Sequence, residues 1–208
     1  VVVSGNWMNI TSTTGLEKST GASCVSLSIG NSDDLTVSEN ECWATGTENV
    51  RGIWIEGSAV TSTLTCDKNV VSTKSYKLSN CIDVTHITGP AVFTIAGNDL
   101  TPTSHSKAAG VRFSEDLSGI AGFVMRDNRV NASTDGGDFA SGFSADAKVL
   151  GFGYLKFTGN DITTNAVGAR YSVGVAFFSS FEDCGVLEVE NNKFSVAADR
   201  SAVVLLAY

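Results

Sequence analysis

One short motif recurs seven times along this 208-residue chain, and no other feature restricts its fold as strongly. The motif reads apolar, any, apolar, any, any, Asn, any, apolar, as in residues 35–42 and 123–130. Its asparagines lie 34, 29, 29, 30, 32 and 32 residues apart. Repeats of this period are typical of solenoid proteins, in which each repeat forms one rung. The seven asparagines are Asn6, Asn40, Asn69, Asn98, Asn128, Asn160 and Asn192.

A second strand-like segment follows in every repeat, with apolar residues at alternating positions such as Ile53 and Ile55. Alternation with a period of two is typical of a half-buried strand. The residue before each apolar pair is small, and the residue between its members is expected to face outward. That outward set is Ser26, Trp54, Asp83, Arg112, Ser144, Ala176 and Val204. The Thr-, Ser-, Gly- and Asn-rich stretches 45–51, 101–108 and 131–141 are predicted to be loops that leave the column.

These patterns predict an all-β fold: a right-handed single-stranded parallel β-helix of about seven rungs of 29–34 residues, with residues 1–208 in one domain. Inward residues such as Leu35, Leu64 and Phe93 would stack over one another at the strand spacing of ~4.8 Å. A leucine-rich-repeat horseshoe shares the short motif but normally continues with a helix or a 3₁₀ segment. The second half of each repeat is instead β-branched, aromatic and glycine-punctuated, which favours the β-helix.

The seven asparagines allow two interpretations, a polar row that binds a ligand or a ladder of stacked amides that holds a tight bend. Asn tolerates left-handed backbone geometry, and its amide can bond neighbouring side chains and exposed backbone. Glycine precedes the asparagine in three repeats, at Gly5, Gly97 and Gly159, as a strained turn requires. The structural ladder is therefore the favoured interpretation.

The chain is acidic, with 14 Lys and Arg against 22 Asp and Glu and a formal net charge of −8. Nucleic acids and anionic lipids select for Lys and Arg, so both are disfavoured as partners. No apolar run approaches the ~20 residues of a membrane span. Asp83 and Arg112 are expected to form an exposed charge ladder, and so are the residues that follow the last four ladder asparagines. Those four residues are Asp99, Arg129, Asp161 and Lys193.

The sequence predicts no catalytic residue, no metal site and no cofactor. Parallel β-helices, including those of the pectin lyase type, often act on polysaccharides through converging carboxylates. A lyase or hydrolase for acidic polysaccharides is therefore the alternative function. The acidic pairs at residues 33–34, 115–116 and 182–183 fall near strand connections and are interpreted as solvated turn residues. His86 and His105 lie at no spacing that indicates nucleophilic catalysis.

The five cysteines are Cys24, Cys42, Cys66, Cys81 and Cys184. Cys66 falls in an inward column and Cys24 and Cys81 in the small column, so these three are predicted to be small core residues. Cys24 and Cys81 are two rungs apart, ~9.6 Å at the strand spacing, which is too far for a disulfide. Cys42 with Cys66, on adjacent rungs, is the pair to test, and the odd count leaves at least one cysteine unpaired.

Three tryptophans, Trp7, Trp43 and Trp54, occupy predicted outward positions in the first two rungs. Outward tryptophans could stack on sugar rings or anchor a protein partner, although loops or preceding rungs could also cover them. Glycosylation sequons begin at Asn9 and Asn131, each three residues after a ladder asparagine. That shared position suits glycosylation of a secreted protein, although sequons also arise by chance.

Three runs, LTVSENECWAT at residues 35–45, AVTSTLTCDKNVVST at 59–73 and GPAVFTIAGND at 89–99, resemble the repeats of the dispersed gene family of trypanosome surface proteins. The similarity in repeat style extends over essentially the whole chain. It implies an extracellular, adhesin-like ectodomain whose membrane anchor lies outside this segment, and it supplies no catalytic residues. A bacterial or phage β-helical adhesin would share the repeat logic and is the neighbouring possibility.

The expected function is thus a non-enzymatic, cell-surface or extracellular segment that presents loops to a host protein or a glycan. The chain begins and ends in strand-like runs without recognisable caps. Because solenoids need their open ends covered, flanking repeats of the same chain are expected partners and the segment is expected to be a fragment.

Overall fold

The computed structural model describes residues 1–12, 22–29, 34–57 and 63–207, and every regular element among them is a β-strand. Among these residues, no helix is long and apolar enough to cross a membrane. In chain order the strands are β1 (Val2–Ser4), β2 (Trp7–Thr11), β3 (Ala22–Ile29), β4 (Leu35–Ser38), β5 (Glu41–Thr45), β6 (Asn49–Gly57), β7 (Thr63–Asp67), β8 (Val70–Ser75), β9 (Leu78–Thr85), β10 (Val92–Ala96), β11 (Asp99–Ser104), β12 (Lys107–Phe113), β13 (Leu117–Ser118), β14 (Gly122–Arg126), β15 (Arg129–Thr134), β16 (Phe139–Ala145), β17 (Val149–Leu150), β18 (Tyr154–Thr158), β19 (Asp161–Ala166), β20 (Tyr171–Phe177), β21 (Phe181–Glu182), β22 (Val186–Glu190), β23 (Lys193–Ala198) and β24 (Ser201–Ala207).

The strands form a parallel β-solenoid, which confirms the predicted fold class. Each repeat contributes one strand to each of three parallel sheets. Sheet A has the order β1-β4-β7-β10-β14-β18-β22, sheet B β2-β5-β8-β11-β15-β19-β23, and sheet C β3-β6-β9-β12-β16-β20-β24. The second half of each repeat is sheet C, a strand and not a helix, so the horseshoe alternative is wrong. We call the nth strands of the three sheets together rung n.

The core is a continuous apolar filling in which equivalent residues lie over one another. Leu64, Phe93 and Phe123 are register partners in adjacent strands of sheet A, and each is at most 2% exposed. The Phe123 ring also packs against Phe143 of sheet C and Phe157 of the next rung, with ring centroids 5.6 and 5.7 Å apart. Burying one such side chain contributes roughly 1.5–3 kcal/mol, and each rung needs its neighbours to do so.

The stretches predicted to be loops are mostly strand. Residues 99–104 and 129–134 are β11 and β15 of sheet B, and residues 107–113 are β12. Inward Ser and Thr side chains bond one another at the corner between sheets B and C; Ser79 Oγ donates to Thr73 Oγ1 at 2.8 Å, and Ser172 Oγ donates to Thr164 Oγ1 at the same distance. A short fourth sheet, β13-β17-β21, was also not predicted.

Sheet C bends at its column of small residues, which includes Gly110, Gly142 and Gly174. A side chain of the next rung fills the space beside each of them. A Cβ atom at Gly142 would collide with Ile162 of the next rung and lie 2.7 Å from the carbonyl oxygen of Gly174. Both Gly142 and its neighbour Phe143 therefore face the interior. Sheet C of one rung thus packs against sheet B of the following rung, an offset that also determines which cysteines meet.

The outer face of sheet C forms a groove along the column, because the bend brings outward side chains from its two arms together. Phe139 and Phe178, from opposite arms, have ring centroids 5.1 Å apart. Asp83, Ser144 and Ala176 point outward as predicted but are fully buried. Of these, only Asp83 was expected to be exposed, as a member of a charge ladder, and its burial contradicts that expectation.

Candidate functional site

The asparagine ladder is present in all seven rungs and is fully hydrogen-bonded in its middle. In each rung from the first to the sixth, the backbone N–H and the Nδ2 of the asparagine both donate to Oδ1 of the asparagine in the next rung, at 2.8–3.1 Å. From the second rung on, Nδ2 also donates to a carbonyl of the rung before, as Asn98 does to Cys66 at 3.0 Å. Asn40 to Asn160 are at most 2% exposed. This geometry matches the structural interpretation, in which the amides satisfy buried backbone at the bend.

The residue in left-handed conformation is the one before each asparagine. The prediction assigned this geometry to the asparagine as well, and the structure corrects it. All seven residues that precede a ladder asparagine have a positive φ, between 53° and 68°. They are Gly5, Glu39, Lys68, Gly97, Asp127, Gly159 and Asn191. Four of the seven are not glycine, so the bend tolerates some backbone strain.

The Asp83–Arg112 pair predicted to be an exposed ladder is part of a partly buried ionic network in the groove, in which only Asp83 is fully buried. Asp83 Oδ2 lies 2.6 Å from Arg51 Nε but 4.0 Å from Arg112 Nη1, and its Oδ1 accepts from Ser114 at 2.7 Å. Arg112 instead pairs with Asp146 at 2.8 Å. The network crosses four rungs, and no ligand is needed to explain it.

The charge ladder after the asparagines forms as pairs on the outer face of sheet B. Arg129 lies 3.7 Å from Asp99, and Lys193 lies 3.0 Å from Asp161. These side chains are 44–76% exposed, so each pair contributes only ~0–1 kcal/mol and its effect is on register.

The disulfide joins Cys24 to Cys42, and the predicted pairing of Cys42 with Cys66 is wrong. Cys24 lies in the small column of sheet C in the first rung, and Cys42 lies in sheet B of the second rung, with Cα atoms 6.0 Å apart. The one-rung offset between these sheets brings the two together. Cys66, Cys81 and Cys184 are free thiols, and burial raises the pKa of both Cys66 and Cys81 to about 12.

The described members of the three acidic pairs lie at or beside strand connections. Asp34 Oδ1 accepts from the backbone of Thr63 at 3.0 Å, while Asp33 lies outside the described residues. Asp116 Oδ1 accepts from the backbone of Lys148 at 3.3 Å, and Glu182 lies in β21, next to β17. Within the described ranges, no three His, Cys, Asp or Glu side chains are placed to hold a metal ion.

The two histidines form surface pairs with carboxylates. His86 contacts Glu115, and His105 Nδ1 lies 2.9 Å from Asp135 Oδ1. The His105 ring stacks on Tyr76 with centroids 4.6 Å apart, beside a shallow cavity of about 300 Å³. Both pairs are solvent-exposed. Ser75 and Ser104 line the same cavity as His105 but hydrogen-bond each other and the carbonyl of Tyr76, so the described contacts do not form a His–Ser dyad.

The three tryptophans separate into a neighbouring pair on sheet B, of which Trp7 is exposed and Trp43 half-buried, and a tethered residue in the groove. Trp7 is 67% exposed and lies 5.9 Å from Trp43 between ring centroids, on the outer face of sheet B. Trp54 lies in the groove, where Nε1 donates to Thr85 Oγ1 at 3.1 Å and the Arg51 guanidinium lies 4.8 Å from the ring centroid. Trp7 and Trp43 can therefore contact a partner, whereas Trp54 packs within the protein.

Both sequon asparagines lie exposed in one column on the outer face of sheet B. Asn9 in β2 is the register partner of Trp43, and Asn131 in β15 occupies the equivalent place four rungs on. Each side chain points to solvent from a regular strand.

An aromatic cleft of about 400 Å³ opens on the groove at rungs 4 to 6, and sequence reasoning missed it. It is lined by Lys107, Asp138, Phe139, Asp146, Arg170, Tyr171 and Phe178. Lys107 Nζ lies 3.5 Å from Asp138 and 5.5 Å from the centroid of Phe139. The lining residues come from three successive rungs, and Lys107, Phe139 and Tyr171 are register partners in sheet C.

Comparison with known protein families, with curated proteins and with solved structures found no match to this chain. The site is therefore interpreted from its own geometry.

Proposed function

We propose that this chain is a non-enzymatic β-helical segment of an extracellular or cell-surface protein, which presents side chains of its outer faces to a host protein or a glycan. The observation that carries the proposal is the Trp7–Trp43 pair, since a large exposed aromatic surface on a regular strand is the usual anchor of a protein or sugar contact. The Asn9 and Asn131 sequons, on the same face, support an extracellular location and would be used in a secreted protein. Flanking repeats of the same chain would cover the end rungs.

Binding to a glycan array and to immobilised matrix proteins tests this function. We expect Trp7→Ala to weaken binding at least tenfold, because it removes the exposed half of the pair. Val70→Ala is the matched control: Val70 is 41% exposed in the same column of sheet B, two rungs from Trp7. Absence of binding by folded protein, or equal loss with both variants, would contradict the proposal.

The same preparation is assayed for unsaturated or reducing products on pectins and related acidic polysaccharides. We expect no turnover, because Asp34 and Asp116 already accept hydrogen bonds from backbone amides and Glu115 pairs with His86. Product formation that survives Trp7→Ala would overturn the non-enzymatic assignment in favour of the polysaccharide-cleaving alternative.

A further inference from the structure

We propose that the aromatic cleft binds an acidic saccharide, a pyranose that carries a carboxylate, and that Arg170 binds the carboxylate. The cleft lies on sheet C, whereas the Trp7–Trp43 pair lies on sheet B, so this site does not depend on the proposed function. It is built from three successive rungs, which fixes its walls relative to one another.

The charges around the cleft leave one cation available. Lys107 is paired with Asp138 at 3.5 Å, and Asp146 is paired with Arg112 at 2.8 Å. Arg170 is exposed and forms no ion pair within the described ranges, although its backbone N–H is fixed by a 3.1 Å bond to the carbonyl of Asp138. A free guanidinium binds a carboxylate through two parallel hydrogen bonds, so the cleft complements a ligand with one negative group.

The walls suit a sugar ring. Tyr171 is 40% exposed, whereas Phe139 is 7% exposed and packs against Phe178 at 5.1 Å between ring centroids. Aromatic faces beside polar groups bind the apolar face of a pyranose while its hydroxyls find hydrogen bonds. A volume of about 400 Å³ accommodates one or two such rings.

The floor of the groove contributes unused hydrogen-bonding capacity. Ser141 and Ser144 lie on the outer side of β16, between Phe139 and Asp146 in sequence, and both are fully buried. Ser141 Oγ, Ser144 Oγ and Asp146 Oδ1 have no hydrogen-bond partner among the described residues. Of these residues only Asp146 lines the cleft, so its unpaired Oδ1 is the atom that can accept from a ligand hydroxyl or from a water beside the ligand.

Calorimetric titration with N-acetylneuraminic acid and galacturonic acid tests the site, with the methyl ester of each acid as its neutral counterpart. We expect at least one acid to bind ten times or more tightly than its neutral counterpart, and Arg170→Gln to abolish that preference. Tyr171→Ala should weaken acid and neutral ligand alike. Arg129→Gln, an exposed arginine on sheet B, is the matched control and should bind as the unmodified chain does.

Trp7→Ala should leave these titrations unchanged. That result would separate the cleft on sheet C from the proposed binding surface around Trp7 and Trp43 on sheet B. Equal binding of acid and neutral ligand, retention of the preference in Arg170→Gln, or no binding of either acid at millimolar concentration by protein with its native circular dichroism would overturn the inference.

Discussion

At the scale of single residues, the bend of each rung depends on two adjacent positions with different requirements. The first must adopt a left-handed conformation, which costs a residue with a Cβ atom about 1–2 kcal/mol. The second must supply an amide whose Nδ2 donates to the rungs on both sides and whose Oδ1 accepts from the rung before, as in Asn98. Gly5, Gly97 and Gly159 indicated the first requirement. Asp127 and Asn191 also belong to residue types that adopt this conformation, whereas Glu39 and Lys68 carry no sequence signal for it.

At the left-handed position, replacing glycine should lower the free energy of unfolding, and introducing glycine should raise it. Gly97→Ala is expected to lower the free energy of unfolding by ~1 kcal/mol, because the nearest atom to the new Cβ is 3.7 Å away and only the φ of 63° is unfavourable. Lys68→Gly, one rung earlier, should raise it by ~0.5–1 kcal/mol, the relief of strain less the entropy of glycine in the unfolded chain. Urea unfolding measures both, and the same sign for the two variants would contradict this account of the bend.

Removing a ladder amide should cost more in the middle of the column than at its end. Asn98→Ala deletes bonds to Asn69, Asn128 and the carbonyl of Cys66 and leaves buried groups without partners, so we expect a loss of ~3 kcal/mol or more. Asn6, which is exposed, is the control, and Asn6→Ala should cost ~1 kcal/mol or less. Equal losses in urea unfolding would show that the ladder bonds are not what stabilises the bend.

At the scale of strands and sheets, the sequence predicted sheets A and C, which have apolar inward residues, and missed most of sheet B, which is made of small polar residues. Sheet A and sheet C alternate apolar with polar residues and were found by that pattern. Sheet B after its first residues is rich in Thr, Ser and Asn, which are typical of loops, yet inward hydroxyls such as Thr73 and Thr164 are satisfied by partners across the corner. Each partner lies only six or eight residues further along the chain, but on the far side of a corner whose position composition does not reveal. Composition alone therefore could not show that the segment is a strand.

The disulfide and the cleft were missed for a related reason. The expectation for Cys42 treated each rung as a flat layer, whereas the chain rises as it turns, so sheet C of one rung faces sheet B of the next. That rise places Cys24 against Cys42 and puts Gly142 beneath Ile162. The groove likewise requires knowledge of the bend in sheet C, which brings Phe139 and Phe178 together from opposite arms.

Thiol titration should identify the cysteine pairing. In the native protein at pH 8, Cys66 and Cys81 should not react with an aromatic disulfide reagent, because both are buried and their raised pKa of about 12 leaves almost no thiolate. Burial also raises the pKa of the partly exposed Cys184, which should react slowly. After unfolding without reductant we expect three thiols, and peptide mapping should find Cys24 linked to Cys42; linkage of Cys42 to Cys66 would contradict the structure.

At the scale of the whole molecule, each rung is stabilised by the rungs on either side. The inward columns are almost completely buried in the middle rungs, where Leu64, Phe93 and Leu155 are at most 2% exposed. The last rung lacks a described neighbour on one side, and Leu187 and Val189 are 39% and 37% exposed. Stability in such a column is a sum of rung and interface terms, so the effect of a core substitution should depend on its position along the axis.

This position dependence can be measured with one substitution made at two places in one column. Leu155 and Leu187 are register partners in sheet A, so they share chemistry, strand geometry and inward direction. Leu155→Ala should lower the free energy of unfolding by ~2–5 kcal/mol, because it leaves a cavity between two rungs. Leu187→Ala should cost ~1 kcal/mol or less in this chain, since solvent already reaches that side chain and water can fill the space. Urea unfolding followed by circular dichroism gives both values. Equal losses would mean that the column unfolds independently of which interfaces are complete, and the nearest-neighbour description of this solenoid would have to be abandoned.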